Sequence, residues 1–255
     1  MPVTKLVVEY FGTPFAGWAK QPGERTVEEE IERAIKTISG ETVQMSVAGR
    51  TDKGVHAWSQ VASYSGEPIN TRALNAVLPD EISIISSDFA AHGFDARRDA
   101  TSRAYCYKLL LRKERSPFLD GYALHWPKPC DVELLEACAA MIVGEHDFTA
   151  FTPTDTAHVR FERVMFSAEW KQLDGELLEF WIEGDSFMRH MVRALVGTML
   201  DVARGWLTLE QFAALLEGAR REEAGKTAAA HGLYFAGVSF TGARLLPQLA
   251  DVAGA

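Results

Sequence analysis

A short segment around residue 50 places chemically capable side chains at a fixed spacing. Residues 46–64 read SVAGRTDKGVHAWSQVASY, a Gly-Arg-Thr-Asp-Lys-Gly turn between two alternating stretches. Arg50 and Asp52 are two positions apart, so in an extended segment they face the same side. A neighbouring guanidinium favours the ionised form of a carboxyl group, and an ionised carboxylate is what a nucleophile or a general base requires. The alternative is an ordinary Asx turn.

Two further segments carry candidate residues. In SRAYCYKLL, Arg103, Tyr105 and Tyr107 share one face of a predicted strand. Tyrosines on a sheet usually pack, but basic and aromatic residues together also stack and hold nucleobases. In GDSFMRHMVRALVGTML, Arg189 and Arg193 are four apart and are expected on one face of a mostly apolar helix, where buried arginines need an anionic partner. The histidines inside these segments, His56 and His190, are equally compatible with a structural, hydrogen-bonded role.

Two periodicities predict the elements that position these residues. Alternation predicts strands at about 3–10, 42–48, 59–65, 82–90, 103–111, 162–172, 177–183 and 235–240. Helical spacing predicts helices at about 26–38, 70–78, 131–143, 187–204 and 208–219, with Asn70 or Thr71 capping the second and Asp131 the third. The LDGE sequence between two of the strands predicts a hairpin.

Strands and helices alternate in both parts of the chain, which predicts an α+β fold of two similar halves. We expect an N-terminal half at 1–111 that carries the Asp52 loop, a C-terminal half at 112–245, and a loosely patterned tail at 246–255.

Composition narrows the classes of function. The chain has 255 residues and a net charge of -9, but residues 97–115 contain seven basic and two acidic residues, a local balance of +5 that suits a polyanion. No GxGxxG, Walker A or GxSxG motif is present, and the dispersed histidines predict no metal site. No apolar run is long enough to span a membrane. Three cysteines without a CxxC pair are typical of a reducing cytoplasm.

Several ordered blocks of the sequence resemble the TruA family of tRNA pseudouridine synthases. GRTDKGVHA is similar to the family signature GRTDxGVHA. EYFGTPFAGWAKQ and FDARRDATSRAYCYKL resemble the family's opening strand and its FxAR…RxYxY block, and GEHDFTAF, GDSFMRHMVRALVG and HGLYFAGVSF resemble later blocks. The resemblance covers residues 3–240. It implies two α/β-sandwich halves that share a central, mostly antiparallel sheet, with an active-site cleft between them and a homodimeric assembly.

The resemblance also implies the roles of individual residues. It places the nucleophilic aspartate at Asp52, the active-site tyrosine at Tyr105 and the basic partner of the aspartate at Arg193. Arg50 matches the motif arginine that helps to flip out the target base. Three positions depart from the family pattern: Lys53 replaces a common Ala, Ala194 a common Asn and Phe11 a common Asp. The expected RNA contacts are Arg50, Lys53, His56, Arg97, Arg103 and Arg189.

The implied reaction is isomerisation of uridine to pseudouridine at nucleotides 38, 39 and 40 of the tRNA anticodon stem-loop, without a cofactor or a metal. Extruding the base from its stack costs a few kcal/mol. Asp52 either attacks the ribose C1′ or assists proton removal at C2′, and the sequence leaves both open. Other hypotheses are a pseudouridine synthase with a different RNA target, a tRNA-binding protein without catalysis, and a carboxylate-based hydrolase, for which no second carboxylate is visible.

Overall fold

The structure, a computed structural model, describes residues 1–156, 159–173 and 176–246, which divide into two compact units. Unit 1 comprises Met1–Arg103 and Tyr234–Ala243, and unit 2 comprises Ala104–Leu233 and the described residues from Arg244 on. The sequence pattern placed the boundary at 111/112 and the last strand in the second half. The observed boundary lies eight residues earlier, and the last strand belongs to unit 1 because it pairs with a strand of that unit.

The described residues form ten strands and five α-helices. In chain order they are β1 (Val3–Tyr10), α1 (Val27–Ser39), β2 (Ser46–Val47), β3 (His56–Ser65), α2 (Thr71–Val77), β4 (Ile82–Phe89), β5 (Ser102–Leu110), β6 (Leu124–His125), α3 (Val132–Ile142), β7 (Gly144–Asp147), β8 (Glu162–Gln172), β9 (Leu177–Gly184), α4 (Met191–Ala203), α5 (Leu209–Leu215) and β10 (Leu233–Ser239).

Unit 1 is built on strands in the order β4-β1-β3-β10, with β2 paired to β3. The β1–β3 and β1–β4 pairs are antiparallel, whereas β10 runs parallel to β3, with Tyr234 opposite His56. Every second residue of β1 is buried, as expected for a strand with one core-facing side. The short β2 and the start of β3 bracket residues 48–55, which carry Asp52.

Helix α1 in unit 1 forms because its apolar residues recur on one face. Val27, Ile31 and Ile35 are buried, while acidic residues occupy the first turn, where their negative charge interacts favourably with the positive end of the helix dipole. The helix ends at Gly40, whose φ of 77° is the left-handed conformation that glycine adopts without strain.

Unit 2 contains strands in the order β5-β9-β8-β7, with β6 paired to β5. The β7–β8 and β8–β9 pairs are antiparallel, and β5–β6 is parallel. Helix α3 begins at Asp131, whose carboxylate accepts hydrogen bonds from the backbone N–H groups of Glu133 and Leu134. Helix α3 packs against β8 and against α4 and α5, and α4 is almost entirely buried.

These elements confirm the predicted α+β class with a large, mostly antiparallel sheet. Differences are confined to ends and short elements: β2 has two residues instead of seven, β3 begins three residues earlier, and α4 and α5 are shorter than predicted. Strands β6 and β7 were not predicted, because they are too short for alternation to be visible. Strands β8 and β9 confirm both arms of the predicted hairpin, while residues 174–175 of its turn lie outside the described residues.

Candidate active site and RNA contacts

Asp52 lies on the loop between β2 and β3. Arg50 and Lys53 are exposed, Thr51 is buried, and Asp52 is half-buried. Exposure alternates over residues 50–52, as expected where Thr51 faces inward and its two neighbours face outward, whereas Lys53 is exposed because a turn begins there. The loop therefore presents a carboxylate and two cationic side chains on its outer side, while Thr51 anchors the inner side.

The loop that follows β1 holds the Asp52 loop through backbone contacts. The Trp18 N–H donates to the Thr51 carbonyl oxygen at 3.1 Å, and Gly17 and Asp52 form an isolated antiparallel bridge. Gly17 has a φ of 111°, and a Cβ there would lie 2.8 Å from the Thr51 oxygen. At Gly12 a Cβ would lie 1.9 Å from the Val55 carbonyl oxygen. Both positions require glycine because the two backbones approach too closely for any side chain.

His56 has the surroundings of a structural histidine. It is only 1% exposed, and its Nδ1 accepts a 3.0 Å hydrogen bond from the Gly12 backbone N–H. Its ring stacks on Tyr234 and also contacts Phe11. Because Nδ1 is an acceptor, the neutral ring carries its proton on Nε2. The predicted RNA contact of His56 stays a prediction, and these contacts favour the structural alternative.

The predicted RNA contacts Arg97 and Arg103 also lie in unit 1, in different environments. Arg97 is exposed. The Arg103 guanidinium donates to three backbone carbonyl oxygens, from Nε to Ala48 at 3.0 Å, from Nη1 to Ala100 at 3.1 Å and from Nη2 to Arg97 at 2.8 Å. Arg103 thus ties the segment before the Asp52 loop to the Arg97 segment, and Arg97 is the better placed of the two for a phosphate.

Asp95 fixes the backbone that presents Arg97. Its carboxylate accepts hydrogen bonds from the N–H groups of Arg97 and Arg98 and from the Ser46 hydroxyl, at 2.8–3.0 Å. Burial acts to raise the pKa of this carboxyl group, but the hydrogen bonds from Arg98, Ser46 and Arg97 outweigh it and lower the pKa below its usual value.

In unit 2, the two tyrosines of β5 are both buried but make different contacts. Tyr105 is 7% exposed, and its ring meets Phe187 edge-on with centroids 4.8 Å apart. The Tyr107 hydroxyl donates to the Ala229 carbonyl oxygen at 2.9 Å, and burial raises the pKa of this phenol well above its usual value. Tyr107 is therefore fixed by a structural hydrogen bond, and the ring of Tyr105 by an aromatic contact.

Arg193 lies in the first turn of α4 and is held against the segment before β10. Its Nε donates to the Ala228 carbonyl oxygen at 2.8 Å, and the Ala228 N–H donates to the Arg193 carbonyl oxygen at 3.0 Å. The same segment accepts the Tyr107 hydrogen bond one residue later, at Ala229. One short backbone segment thus fixes the arginine of α4 and a tyrosine of β5.

The predicted helical pairing of Arg189 with Arg193 is wrong. Helix α4 begins at Met191, and the preceding His190 has a φ of 64°. This conformation separates Arg189 from the helix. Among the described residues, His190 is the only residue other than glycine with a positive φ. Such strain often occurs at functional sites. Arg189 is exposed, not buried as expected, and it forms an exposed ion pair with Asp155.

Asp52 belongs to unit 1, whereas Tyr105 and Arg193 belong to unit 2, so their meeting in a cleft stays a prediction. Among residues 1–156, 159–173 and 176–246, no cluster of three or more His, Cys, Asp or Glu side chains is arranged to hold a metal. No helix in the same residues is long and apolar enough to cross a bilayer.

The residues whose buried hydrogen bonds support the Asp52 loop were not predicted from the sequence; they are Tyr10, Thr51 and Gln60. One signal was available for Gln60, because it is a large polar residue within the otherwise small and apolar stretch QVASY of β3. The roles of the Ala228 and Ala229 carbonyl groups could not be predicted, since any residue type has a backbone carbonyl group that can accept a hydrogen bond.

Comparison with known proteins identifies the family. The profile of a family described as tRNA pseudouridine synthase matches residues 6–86 and 138–241. The match defines the class of protein as a pseudouridine synthase, an isomerase.

Close relatives define the family further. A tRNA pseudouridine synthase A of Geobacillus sp. (strain WCH70) is 39% identical over 236 residues, which is 90% of this chain and 95% of that protein. The protein of the same name from Bacillus pumilus (strain SAFR-032) is 37% identical over 90% of this chain and 96% of its own length. The chain belongs to the tRNA pseudouridine synthase family.

A solved structure titled as a Cbf5-Nop10-Gar1 complex contains a chain that overlays with a TM-score of 0.33 at 14% identity. The overlay covers 78% of this chain and 53% of the other, and it is too loose to define the fold more narrowly.

Proposed function

We propose that this protein isomerises uridine to pseudouridine at nucleotides 38, 39 and 40 in the anticodon stem-loop of tRNA, with Asp52 as the reacting carboxylate. The observation that carries the proposal is the Asp52 loop: a half-buried carboxylate on a backbone fixed by close contacts with Gly12 and Gly17. Family membership supports the class of reaction, and the target nucleotides rest on the resemblance of the sequence blocks.

The proposed reaction exchanges one bond to the ribose for another. The bond between N1 of uracil and C1′ breaks, the base turns, and a bond between C5 and C1′ forms. C5 loses a proton and N1 gains one, so atoms and electrons balance without an oxidant or a reductant. Asp52 either attacks C1′ as a nucleophile or removes the proton from C2′ as a base.

Tyr105 and Arg193 complete the proposed catalytic group. Tyr105 stacks on the extruded base or handles its proton, and its aromatic contact with Phe187 keeps the ring in place for either task. Arg193 serves as the cationic partner that keeps the aspartate ionised. The backbone bonds at Ala228 fix the orientation of Arg193, which limits the loss of side-chain entropy when it meets an anion.

The proposed contacts to RNA are the exposed cations of both units. Arg50, Lys53, Arg97 and Arg189 are all exposed, and Arg189 would exchange its ion pair with Asp155 for one with a phosphate group. Arg50 is assigned to extrusion of the target base because it matches the motif arginine with that role in the TruA family. The Arg103 guanidinium is engaged by carbonyl groups, so we assign it an indirect role, holding Arg97 and the Asp52 loop in place.

The proposal includes a homodimer and a cytoplasmic location. The homodimer rests on the resemblance to the TruA family. The location is supported by the cysteines Cys106, Cys130 and Cys138, which are all free, as is typical of a reducing compartment.

The test is Asp52→Asn assayed on a tRNA transcript, with pseudouridine mapped by carbodiimide-dependent stops of primer extension. We expect loss of conversion while tRNA affinity stays within a few-fold, because Asn preserves the turn but removes the charge. Asp88→Asn, an exposed aspartate of β4, is the matched control and is expected to keep full activity.

Near wild-type conversion by Asp52→Asn would remove Asp52 from the mechanism. Wild-type protein that binds tRNA without converting it would favour the non-catalytic alternative. Conversion only at nucleotides other than 38, 39 and 40 would contradict the proposed target site.

A further inference from the structure

Three polar side chains form a hydrogen-bonded group directly beneath the Asp52 loop. The Tyr10 hydroxyl and Thr51 Oγ1 lie 2.7 Å apart. Gln60 Nε2 donates to the Gly49 carbonyl oxygen at 2.7 Å and, more weakly, to the Tyr10 hydroxyl at 3.5 Å. We call Tyr10, Thr51 and Gln60 the loop anchor. Its members come from the end of β1, from the loop itself and from the middle of β3.

The loop anchor is buried. Tyr10 is 3% exposed, Thr51 7% and Gln60 0%. Burial raises the pKa of Tyr10 to about 12, while its hydrogen bonds to Thr51 and Gln60 act in the opposite direction. Replacing both partners of a buried hydrogen bond with apolar groups of the same shape is often neutral for stability, so a buried polar group is not required by stability alone. A fully bonded polar group does, however, select one arrangement of the chains it joins.

The arrangement selected here is that of the residues on either side of Arg50. The anchor holds Gly49 by its carbonyl group and Thr51 by its hydroxyl, which are the residues before and after Arg50. Because side chains alternate along an extended segment, fixing Thr51 inward directs Arg50 and Asp52 outward. The backbone contacts of Gly17 and Trp18 hold the outer part of the same loop.

We propose that Tyr10 and Gln60 are positioning residues that set the direction of the Asp52 carboxylate through Thr51 and Gly49. The expected loss of reaction rate rests on the proposed function, whereas the expected change in hydrogen exchange of the Asp52 loop does not. Misplacing a reacting group by about 1 Å costs on the order of 100-fold in rate. Loosening the anchor should therefore slow the chemical step more than it weakens tRNA binding, because Arg97 and Arg189, two of the proposed RNA contacts, lie outside the Asp52 loop.

The main test compares Tyr10→Phe with Tyr64→Phe. Both tyrosines are buried in the sheet of unit 1, and the Tyr64 hydroxyl is also hydrogen-bonded, to the Glu67 carbonyl oxygen at 2.9 Å and to the Thr4 side chain, away from the Asp52 loop. We expect the single-turnover rate of pseudouridine formation to fall about 10- to 100-fold in Tyr10→Phe, with a smaller effect on KM. We expect Tyr64→Phe to keep the wild-type rate. Equal rates in the two variants would overturn the proposal.

A second pair keeps the test decisive if Tyr10→Phe does not fold. Thr51→Val removes the hydroxyl at nearly constant shape, whereas Thr51→Ser retains it. The proposal expects Thr51→Ser to keep most of the rate and Thr51→Val to lose it. Loss of the rate in both, or in neither, contradicts a role that acts through the hydroxyl.

Hydrogen exchange provides a measurement that does not require activity. Amides of residues 49–54 should exchange faster in Tyr10→Phe than in Tyr64→Phe, while those of α1 stay the same. Unchanged exchange in this loop would refute the anchor. A wild-type protein without activity but with the expected exchange would instead refute the proposed function and leave the anchor standing.

Discussion

Tyr105→Phe and Tyr107→Phe should separate catalysis from stability on a single strand. The two residues are two positions apart on β5, and both are buried. The Tyr107 hydroxyl donates to the Ala229 carbonyl oxygen, so Tyr107→Phe removes a buried hydrogen bond and leaves that carbonyl group without this donor. The aromatic contact of Tyr105 with Phe187 needs no hydroxyl and survives in Tyr105→Phe.

The magnitude for Tyr107 follows from this bond. Leaving one buried partner unsatisfied costs about 1–3 kcal/mol in the free energy of unfolding, and we take about 1.5 kcal/mol for a neutral pair of ordinary length. In a chain of this size each kcal/mol lowers Tm by about 2–4 °C, so Tyr107→Phe should melt about 3–6 °C lower. A proton-handling role contributes about 10²–10⁴-fold in rate, and we expect Tyr105→Phe to lose activity on at least the lower scale.

The assay pairs thermal unfolding with single-turnover conversion of a tRNA transcript at 25 °C, well below either transition. We expect different losses in the two variants: slow conversion by Tyr105→Phe, and an active but less stable Tyr107→Phe. If both variants lose activity equally, the strand acts as a unit and Tyr105 has no separate catalytic role. If Tyr107→Phe melts at the wild-type temperature, the Ala229 hydrogen bond contributes no stability and the energetic argument is wrong.

Three further outcomes are expected. The affinity for tRNA should fall with salt at a log–log slope near -3, since the four exposed cations Arg50, Lys53, Arg97 and Arg189 each contribute roughly 0.7–0.9; a flat response would remove them from the RNA contacts. Light scattering should give the mass of a dimer, and a fully active monomer would refute the homodimer. Because the pKa of Asp95 is lower in the folded protein than in the unfolded chain, where it is about 4, ionised Asp95 stabilises the fold above about pH 4. This contribution is lost as pH falls through the lower, folded pKa. Asp95→Asn should therefore reduce the decline of the free energy of unfolding at acid pH, measured by denaturant unfolding. An unchanged acid limb would contradict this assignment.

Much of the fold followed from sequence because its signals are local. The alternation in β1 and the apolar face of α1 each span about a dozen residues or fewer, and each element appears in the structure within one or two positions of its predicted ends. Asp131 was recognisable as a helix cap for the same reason, since the carboxylate bonds N–H groups two and three residues away.

The start of α4 shows where local periodicity fails. Arg189 and Arg193 fit a helical face, but His190 takes a left-handed conformation that residue type alone does not announce. The apolar pattern continues through this break because Met188 is buried as well. The apolar pattern of the sequence follows which residues are buried, and buried residues continue beyond the start of the helix.

The candidate site was only partly predictable for a related reason. Asp52, Tyr105 and Arg193 were found because their residue types and the resembling blocks identify them. The loop anchor depends on Tyr10 and Thr51, which are 41 positions apart and meet only after β1 and β3 have paired. Similarly, no spacing rule predicts that the Arg103 guanidinium is engaged by backbone carbonyl groups.

The position of β10 has a consequence for how the chain folds as it leaves the ribosome. Unit 1 is discontinuous, because its strand β10 pairs with β3 at Tyr234 and Phe235, some 178 residues later in the chain. The N-terminal half therefore cannot complete its sheet during the first part of synthesis, and the exposed side of β3 must wait until nearly the whole chain has emerged. Unit 2, apart from its last residues from Arg244 on, is contiguous and fully synthesised before β10 appears. Although domains usually fold as units in the order in which they are made, the sheet of unit 1 cannot close until the strand that lies latest in the sequence has been synthesised.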